Sequence, residues 1–225
     1  MPTFEGTKAP TMQRAHLAYL LFCPTLVLAQ AGTLDPSFSS DGLYMTDVSA
    51  YADEVDAVLV QPDGMTVGAG WIDDGSLILP FVQRLQEVGT PDPSFGIAGT
   101  VYFPIAGQMP YPYAVGMQSS GNLILAGLIY DGSFDGNAMV IRLLPDGSPD
   151  LSFGTDGLVT WDYGAGFGFQ SAWAMEIMDD DRIVLVGEEG ENGMAVARLT
   201  SEGEPDDTFG TNGVALTGVP FSSGL

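Results

Sequence analysis

Side-chain catalysis needs a nucleophile, a general base or a set of metal ligands, and past residue 31 this sequence is nearly without them. Its one cysteine (Cys23), one histidine (His16) and one lysine (Lys8) all lie within the first 31 residues. Residues 32–225 therefore cannot build a Ser-His-Asp triad, a cysteine nucleophile, a lysine Schiff base or a His/Cys zinc site. They keep 28 of the 29 Asp and Glu residues, all but Glu5, against four arginines: Arg84, Arg142, Arg182 and Arg198. Two carboxylates at a set separation can hydrolyse a glycosidic bond, but no spacing here marks one pair. The Gly-rich run 164–168 lacks the lysine and the following helix of a phosphate loop. An oxygen-rich run from Asp131 through Asp135 to Asn137 could attract calcium, yet it lacks the EF-hand spacing and closing Glu. Asp179-Asp-Asp181 reads equally well as a hairpin tip. No cofactor is expected, with calcium as the one candidate ion.

The residues better suited to binding than to reaction are rings set among carboxylates. Tyr51 stands beside Asp53 and Glu54. Tyr111 and Tyr113 form a second group, and Phe167 and Phe169, with nearby Trp173, a third. Asp73 with Asp74, Asp131 with Asp135, and Glu188, Glu189 and Glu191 supply the charge. Ring faces beside carboxylates suit a carbohydrate or a cationic ligand. The candidate contact set is Tyr51, Tyr111, Tyr113, Phe167, Phe169, Asp73, Asp131 and Glu189. The competing reading is a solvated acidic rim with some rings folded back into the core. The excess of carboxylates repels phosphate backbones, so nucleic acid and anionic membranes are not expected partners. A glycan or a protein surface is.

The elements that must position these residues are set by one phrase said four times. Asp35-Pro-Ser-Phe38, Asp92-Pro-Ser-Phe95, Asp150-Leu-Ser-Phe153 and Asp206-Asp-Thr-Phe209 each lead into a turn that closes on Gly42, Gly99, Gly157 or Gly213. The leading Asp residues are 57, 58 and 56 positions apart. A fixed period of this size means an array of one small unit. Each unit reads as four short strands. Strand a is 43–48, 100–105, 158–163 and 214–219. Strand b is 55–61, 113–118 and 172–178. Strand c is 65–72, 122–129 and 182–188. Strand d is 77–85, 137–144 and 193–199. Turn residues between b and c (Pro62-Asp-Gly64, Ser119-Ser-Gly121, Asp179-Asp-Asp181) signal hairpins. Apolar runs on both faces of b, c and d predict sheets stacked face to face.

The spacing predicts an all-β, propeller-like array of about three four-stranded antiparallel blades, a partial or open ring. Each blade is b-c-d plus the next a, with the a–b and c–d loops on one face. Three units and one strand fall short of the 4–8 blades of closed propellers. Self-association could then complete the ring. Arg84, Arg142 and Arg198 recur at one repeat position and are expected to be structural, each paired with a carboxylate such as the Asp of the following phrase. Phe38, Phe95, Phe153 and Phe209 read as wedges under the turns. The hydroxyl before each reads as a turn cap, set by Asp35, Asp92, Asp150 and Asp206.

The run from Asn137 to Gly154, and the stretch from Ala195 to Arg198 continuing to Phe209-Gly210, resemble the delta-60 repeat, a bacterial family of short units. The resemblance covers essentially all of 34–216. It implies a secreted or surface propeller-like array and brings no established catalytic residues. The first copy departs from the pattern, with Ser39 where the others have Gly, which argues against a regular turn there.

Arg14, the apolar stretch from Ala15 to Ala29 and the small residues of Ala29-Gln30-Ala31 describe a secretory signal peptide over 1–31, with 1–11 as an over-extended start. The apolar run is short for a membrane span. No stable membrane insertion is expected after cleavage, and the protein should be secreted, periplasmic or at the cell surface. Residues 32–225 then form the repeat array, in units 34–90, 91–148 and 149–204 with a partial unit 205–225. The expected function is a non-enzymatic binding or structural surface module. The alternatives are a carboxylate-based carbohydrate-active enzyme and a fragment of a longer repeat protein with no role of its own.

Overall fold

The computed structural model describes residues 32–130, 136–161, 170–189 and 193–216. These form twelve strands: β1 (Ala52–Val60), β2 (Thr66–Asp73), β3 (Ile78–Leu85), β4 (Thr100–Tyr102), β5 (Met109–Met117), β6 (Leu123–Tyr130), β7 (Gly136–Leu143), β8 (Leu158–Trp161), β9 (Gln170–Ile177), β10 (Ile183–Glu189), β11 (Gly193–Leu199) and β12 (Val214–Leu216). No helix occurs among the described residues. The strands pair antiparallel into three sheets ordered β1-β2-β3-β4, β5-β6-β7-β8 and β9-β10-β11-β12. Each sheet is b-c-d closed by the a strand that follows the Asp-x-Ser/Thr-Phe phrase. The array is an open one of three propeller-like blades.

The stretch 43–48 is not a strand, contrary to the periodic reading. Strand a earns its hydrogen bonds from the d strand before it: β4 from β3, β8 from β7 and β12 from β11. Among the described residues no d strand precedes Leu43, so this stretch has no ladder to join. The other a strands are shorter than their apolar runs. In the first, the strand ends at Tyr102, Phe103 N still donates to Pro80 O at 3.1 Å, and Pro104 has no amide to carry the ladder further.

The middle blade explains the weak alternation of its sequence. In β6, Leu123 and Leu125 face the first blade, while Ile124 and Ala126 face the third. β6 and β7 are consequently buried on both sides. The outer blades bury one face each, and β2 and β11 alternate accordingly.

One contact set holds successive blades together. Phe95 and Phe153 are fully buried. Each lies against the turn glycine of the next blade, where a Cβ on Gly147 or Gly203 would sit 3.0 or 2.6 Å from the ring. The guanidinium of Arg84 or Arg142 covers the other ring face at 4.5 Å. The b–c hairpins add polar links. Gln118 Nε2 donates to the Asp181 and Ser201 carbonyls, at 3.1 and 2.9 Å.

The first phrase keeps a regular turn despite Ser39. Phe38 N donates to Asp35 O at 3.1 Å, as in the other copies, and Gly42 N to Phe38 O at 2.7 Å, as Gly99 N does to Phe95 O and Gly157 N to Phe153 O. Ser39 takes φ 51°, where Gly96, Gly154 and Gly210 take 53°, 55° and 57°. In those three a Cβ would meet the carbonyl of Thr100, Leu158 or Val214 at 2.0–2.2 Å. No strand a forms after Ser39, so its Cβ has room, and the left-handed backbone alone is a modest cost.

A candidate aromatic and acidic binding face

Every b strand carries a bulge, and the bulge aims the side chains that could bind. The register skips Asp56 between Val55 and Ala57, Tyr113 between Pro112 and Ala114, and Trp173 between Ala172 and Ala174. An extra residue bends the strand and redirects its side chain. A glycine lies opposite on each c strand: Gly70, Gly127 or Gly187. A Cβ there would come within 1.6–2.0 Å of a carbonyl of the b strand. The bulge thus depends on a close backbone approach that only glycine permits. Asp56, Tyr113 and Trp173 occupy one structural position on three neighbouring strands.

Around this row the rings form two contacts that cross between blades. Tyr113 of the second blade stacks on Trp173 of the third, with centroids 4.7 Å apart and planes 19° from parallel. Tyr111 meets Trp71 of the first blade edge-on at 5.3 Å. Tyr130, from the same blade as Tyr111, meets it edge-on at 6.1 Å. Such pairs are worth about 0.5–1.5 kcal/mol beyond burial. Trp173 remains half exposed at 51%. The a–b and c–d loops share this end, because Met109 at the start of β5 pairs with Tyr130 at the end of β6, and Tyr130 with Gly136 at the start of β7.

Of the eight residues expected to make the contact face, Tyr111 and Tyr113 come together in the ring cluster. Tyr51 is exposed and apart from it. Its ring lies over Gly75 of the c–d loop, and Ser49 Oγ donates to the Asp73 carbonyl, tying the two loops together. The Asp73 carboxylate accepts from Gly75 N at 2.7 Å, so it shapes its own loop. Asp131, Phe167, Phe169 and the side chain of Glu189 lie outside the described residues. Periodic reasoning missed Trp71 and Tyr130. Tyr130 was findable by counting back from the b–c hairpin, which pairs it with Met109. Trp71 comes from another blade, and no count within one unit reaches it.

Electrostatics at this face are set by burial and by acids. Burial, then Tyr130, Asp56, Tyr111 and Glu54, push the Tyr113 phenol up to about 12. Burial and then Tyr130 and Asp73 raise that of Tyr111. Burial and then Glu188 raise that of Tyr130. Burial and the neighbouring Glu54 raise the Asp56 carboxyl. At neutral pH the face offers protonated phenols as donors, carboxylates as acceptors and a stacked ring edge. A phenol whose folded value exceeds its unfolded one stabilises the fold below the unfolded value of ~10. That contribution fades as pH rises towards about 12. Tyr113→Phe should therefore flatten the loss of stability between those limits, read from urea midpoints across alkaline pH. An unchanged slope would place the buried phenol elsewhere.

The recurring arginines do not belong to this face. Arg84 Nε donates to Asp92 Oδ2 at 2.7 Å, and Arg142 Nε to Asp150 Oδ2 at 2.8 Å. Arg198 Nε donates to Asp206 Oδ2 at 2.7 Å. Arg182, in the third b–c hairpin, reaches Asp180 and Asp206. Two furrows, of about 330 and 440 Å³, lie where an a strand meets the turn of the next blade. Thr160, Trp161 and Pro205 of the smaller furrow match Tyr102, Phe103 and Pro149 of the larger by repeat position, and the rest of the two linings do not. Among the described residues no cluster of three or more His, Cys, Asp or Glu could hold a metal ion.

Comparison with known proteins agrees with this geometry. A search of curated proteins gives no match. Residues 61–95, 118–153 and 179–209 match a family model described as "Domain of unknown function (DUF5122) beta-propeller". Each match runs from the b–c hairpin through strands c and d to the Phe of the phrase, so the chain is similar to that beta-propeller repeat once in every blade.

Proposed function

We propose that this protein is a secreted, non-enzymatic β-propeller-type binding module whose contact face is the bulge row of its b strands, and that its ligand is a carbohydrate. The observation that carries this is the half-exposed stack of Tyr113 on Trp173, with Glu54, Asp56 and Glu188 close enough to perturb the neighbouring acids and phenols. A sugar offers C–H faces to a ring edge and hydroxyls to carboxylates. The repeats are read as delta-60 repeats. Residues 1–31 are read as the secretory signal, from their basic, apolar and small-residue order.

On a glycan array, Trp173→Ala and Tyr113→Ala should each weaken retention by ~10-fold or more, the loss of roughly 1.4 kcal/mol of ring contact. Tyr51→Ala should change it little. Retention that ignores Trp173 and Tyr113 would remove this face from consideration. Turnover of a polysaccharide, lost on Asp73→Ala, would instead favour a carboxylate-based glycoside hydrolase.

A further inference from the structure

The two outer faces of the array are complementary halves of the junction that already joins its blades. At each internal junction, three features of one blade meet three of the next. The Phe of the phrase lies on the next blade's turn glycine. The arginine Nη1 donates to a turn carbonyl, Pro145 O at 2.7 Å for Arg84 and Ser201 O at 2.9 Å for Arg142. Two apolar residues of the next b strand face back: Val115 and Met117 pack with the first blade, Met175 and Ile177 with the second.

The third blade presents the leading half of this set. Arg198 lies 4.7 Å over Phe209, and Phe209 is only half buried where Phe95 and Phe153 are fully buried. The first blade presents the receiving half. Val58 and Val60 are 68% and 67% exposed at the positions of Val115 and Met117. Glu87 stands where Pro145 and Ser201 present their carbonyls. The turn glycine is Gly89.

Gly89 is already occupied by the chain's own first phrase. A Cβ there would meet the Phe38 ring at 2.9 Å, and Ser39 N donates to Val88 O at 2.8 Å, as Gly96 N does to Asp146 O. This phrase is the weaker one. Position 27, eight before Asp35 as Arg84 is eight before Asp92, is Val27. The Asp35 carboxylate accepts from Ser37 alone among the described residues. Leu43 and Met45 after it are 49% and 85% exposed.

We propose that residues 35–42 are a displaceable cap, and that two copies of the chain join head to tail when the phrase 206–213 of one takes the Gly89 seat on the other. The incoming phrase brings its own arginine and the strand Val214–Leu216, which the cap lacks. The contact is heterologous, so it extends to rings or short filaments. The formal charge of −23 opposes it, and added salt should strengthen it.

Sedimentation velocity of the full chain over a concentration series tests this. Wild type should associate reversibly, more strongly in salt. Phe38→Ala loosens the cap and should raise the association constant ~10-fold, a gain of about 1.4 kcal/mol. Asp35→Ala, which undoes the cap's turn without touching the first blade, should act in the same direction, and it guards against a folding defect in the first variant. Val60→Glu places a charge on the receiving face and should weaken association at least ~10-fold with an unchanged melting curve. A monomer at every concentration in wild type and both cap variants would overturn the proposal. So would an association indifferent to Val60→Glu, which would locate the contact elsewhere.

Discussion

Replacing Arg142 with alanine is expected to cost about 3–5 kcal/mol of folding stability, the range for a buried ion pair stripped of one partner. The guanidinium bonds four groups. Nε donates to Asp150 at 2.8 Å, Nη1 to Ser201 O at 2.9 Å, and Nη2 to Glu202 at 2.9 Å and Ser152 Oγ at 3.5 Å. It also covers the Phe153 ring. Its side chain is 5% exposed and that of Asp150 12%, so the abandoned carboxylate cannot simply hydrate. Lysine should recover only part of the loss, because a point charge cannot hold Asp150, Ser201 and Glu202 from one planar fork. Arg198→Ala is the internal comparison. Its residue is 17% exposed, and among the described residues no following blade offers it a carbonyl. It should cost clearly less. Equal losses in urea titrations would mean that the contacts between blades contribute nothing and the pair within the blade everything.

The same ion pair contributes to acid sensitivity. The Ser152 hydroxyl, the Ser152 amide and Arg142 hold the Asp150 carboxyl below its usual range against the opposing effect of burial. A depressed folded value contributes stability above the unfolded pKa of ~3.9, and the contribution is lost as pH falls through the folded value. The Asp92 and Asp206 carboxyls are depressed too, by Ser94 with Arg84 and by Thr208 with Arg182 and Arg198. Acid unfolding should therefore be steep at low pH, and Arg142→Ala should move its midpoint upward.

The second large effect is expected at Gly127. A Cβ there would lie 2.0 Å from Tyr111 O and 2.7 Å from Pro112 Cα. Both are backbone atoms, and no rotamer relieves them. Gly127→Ala must push β5 off β6 at the bulge, at a cost of about 3 kcal/mol or more. The displaced strand carries Tyr113 away from Trp173, so near-UV circular dichroism from the stacked pair should fall with stability. Gly68→Ala is the control. It lies in β2, and its Cβ would approach only Val55 Cγ1, at 3.3 Å. It should change stability by less than about 1 kcal/mol, since removing a glycine from a strand is itself mildly favourable. If both substitutions behave alike, glycine at the bulge serves the unfolded chain and not the close approach.

Much of the fold was legible because it is local. Turn residues between apolar runs placed every b, c and d strand to within a few residues, and the period of the Asp-x-Ser/Thr-Phe phrase gave the blade as b-c-d plus the next a. The phrase builds its own turn from neighbours in sequence, with Asp92 Oδ1 accepting the Ser94 amide at 3.0 Å, and needs nothing distant. That is why even the Ser39 copy closes.

Tertiary structure decided what depends on a neighbouring sheet. Residues 43–48 have the composition of strand a but no d strand to pair with, so periodicity predicted an element that hydrogen bonding withholds. Arg142 could be assigned a carboxylate from its repeat position, yet its bond to Ser201 exists only because the next blade stacks there. The candidate face divides in the same way. Tyr111 and Tyr113 stood out as rings near acids, whereas their partners Trp71 and Trp173 arrive from the flanking blades. The chain's sequence fixes the spokes because their bonds close within some sixty residues. Which rings touch, and which wedge is left half covered at each end, follows from how many blades stand side by side.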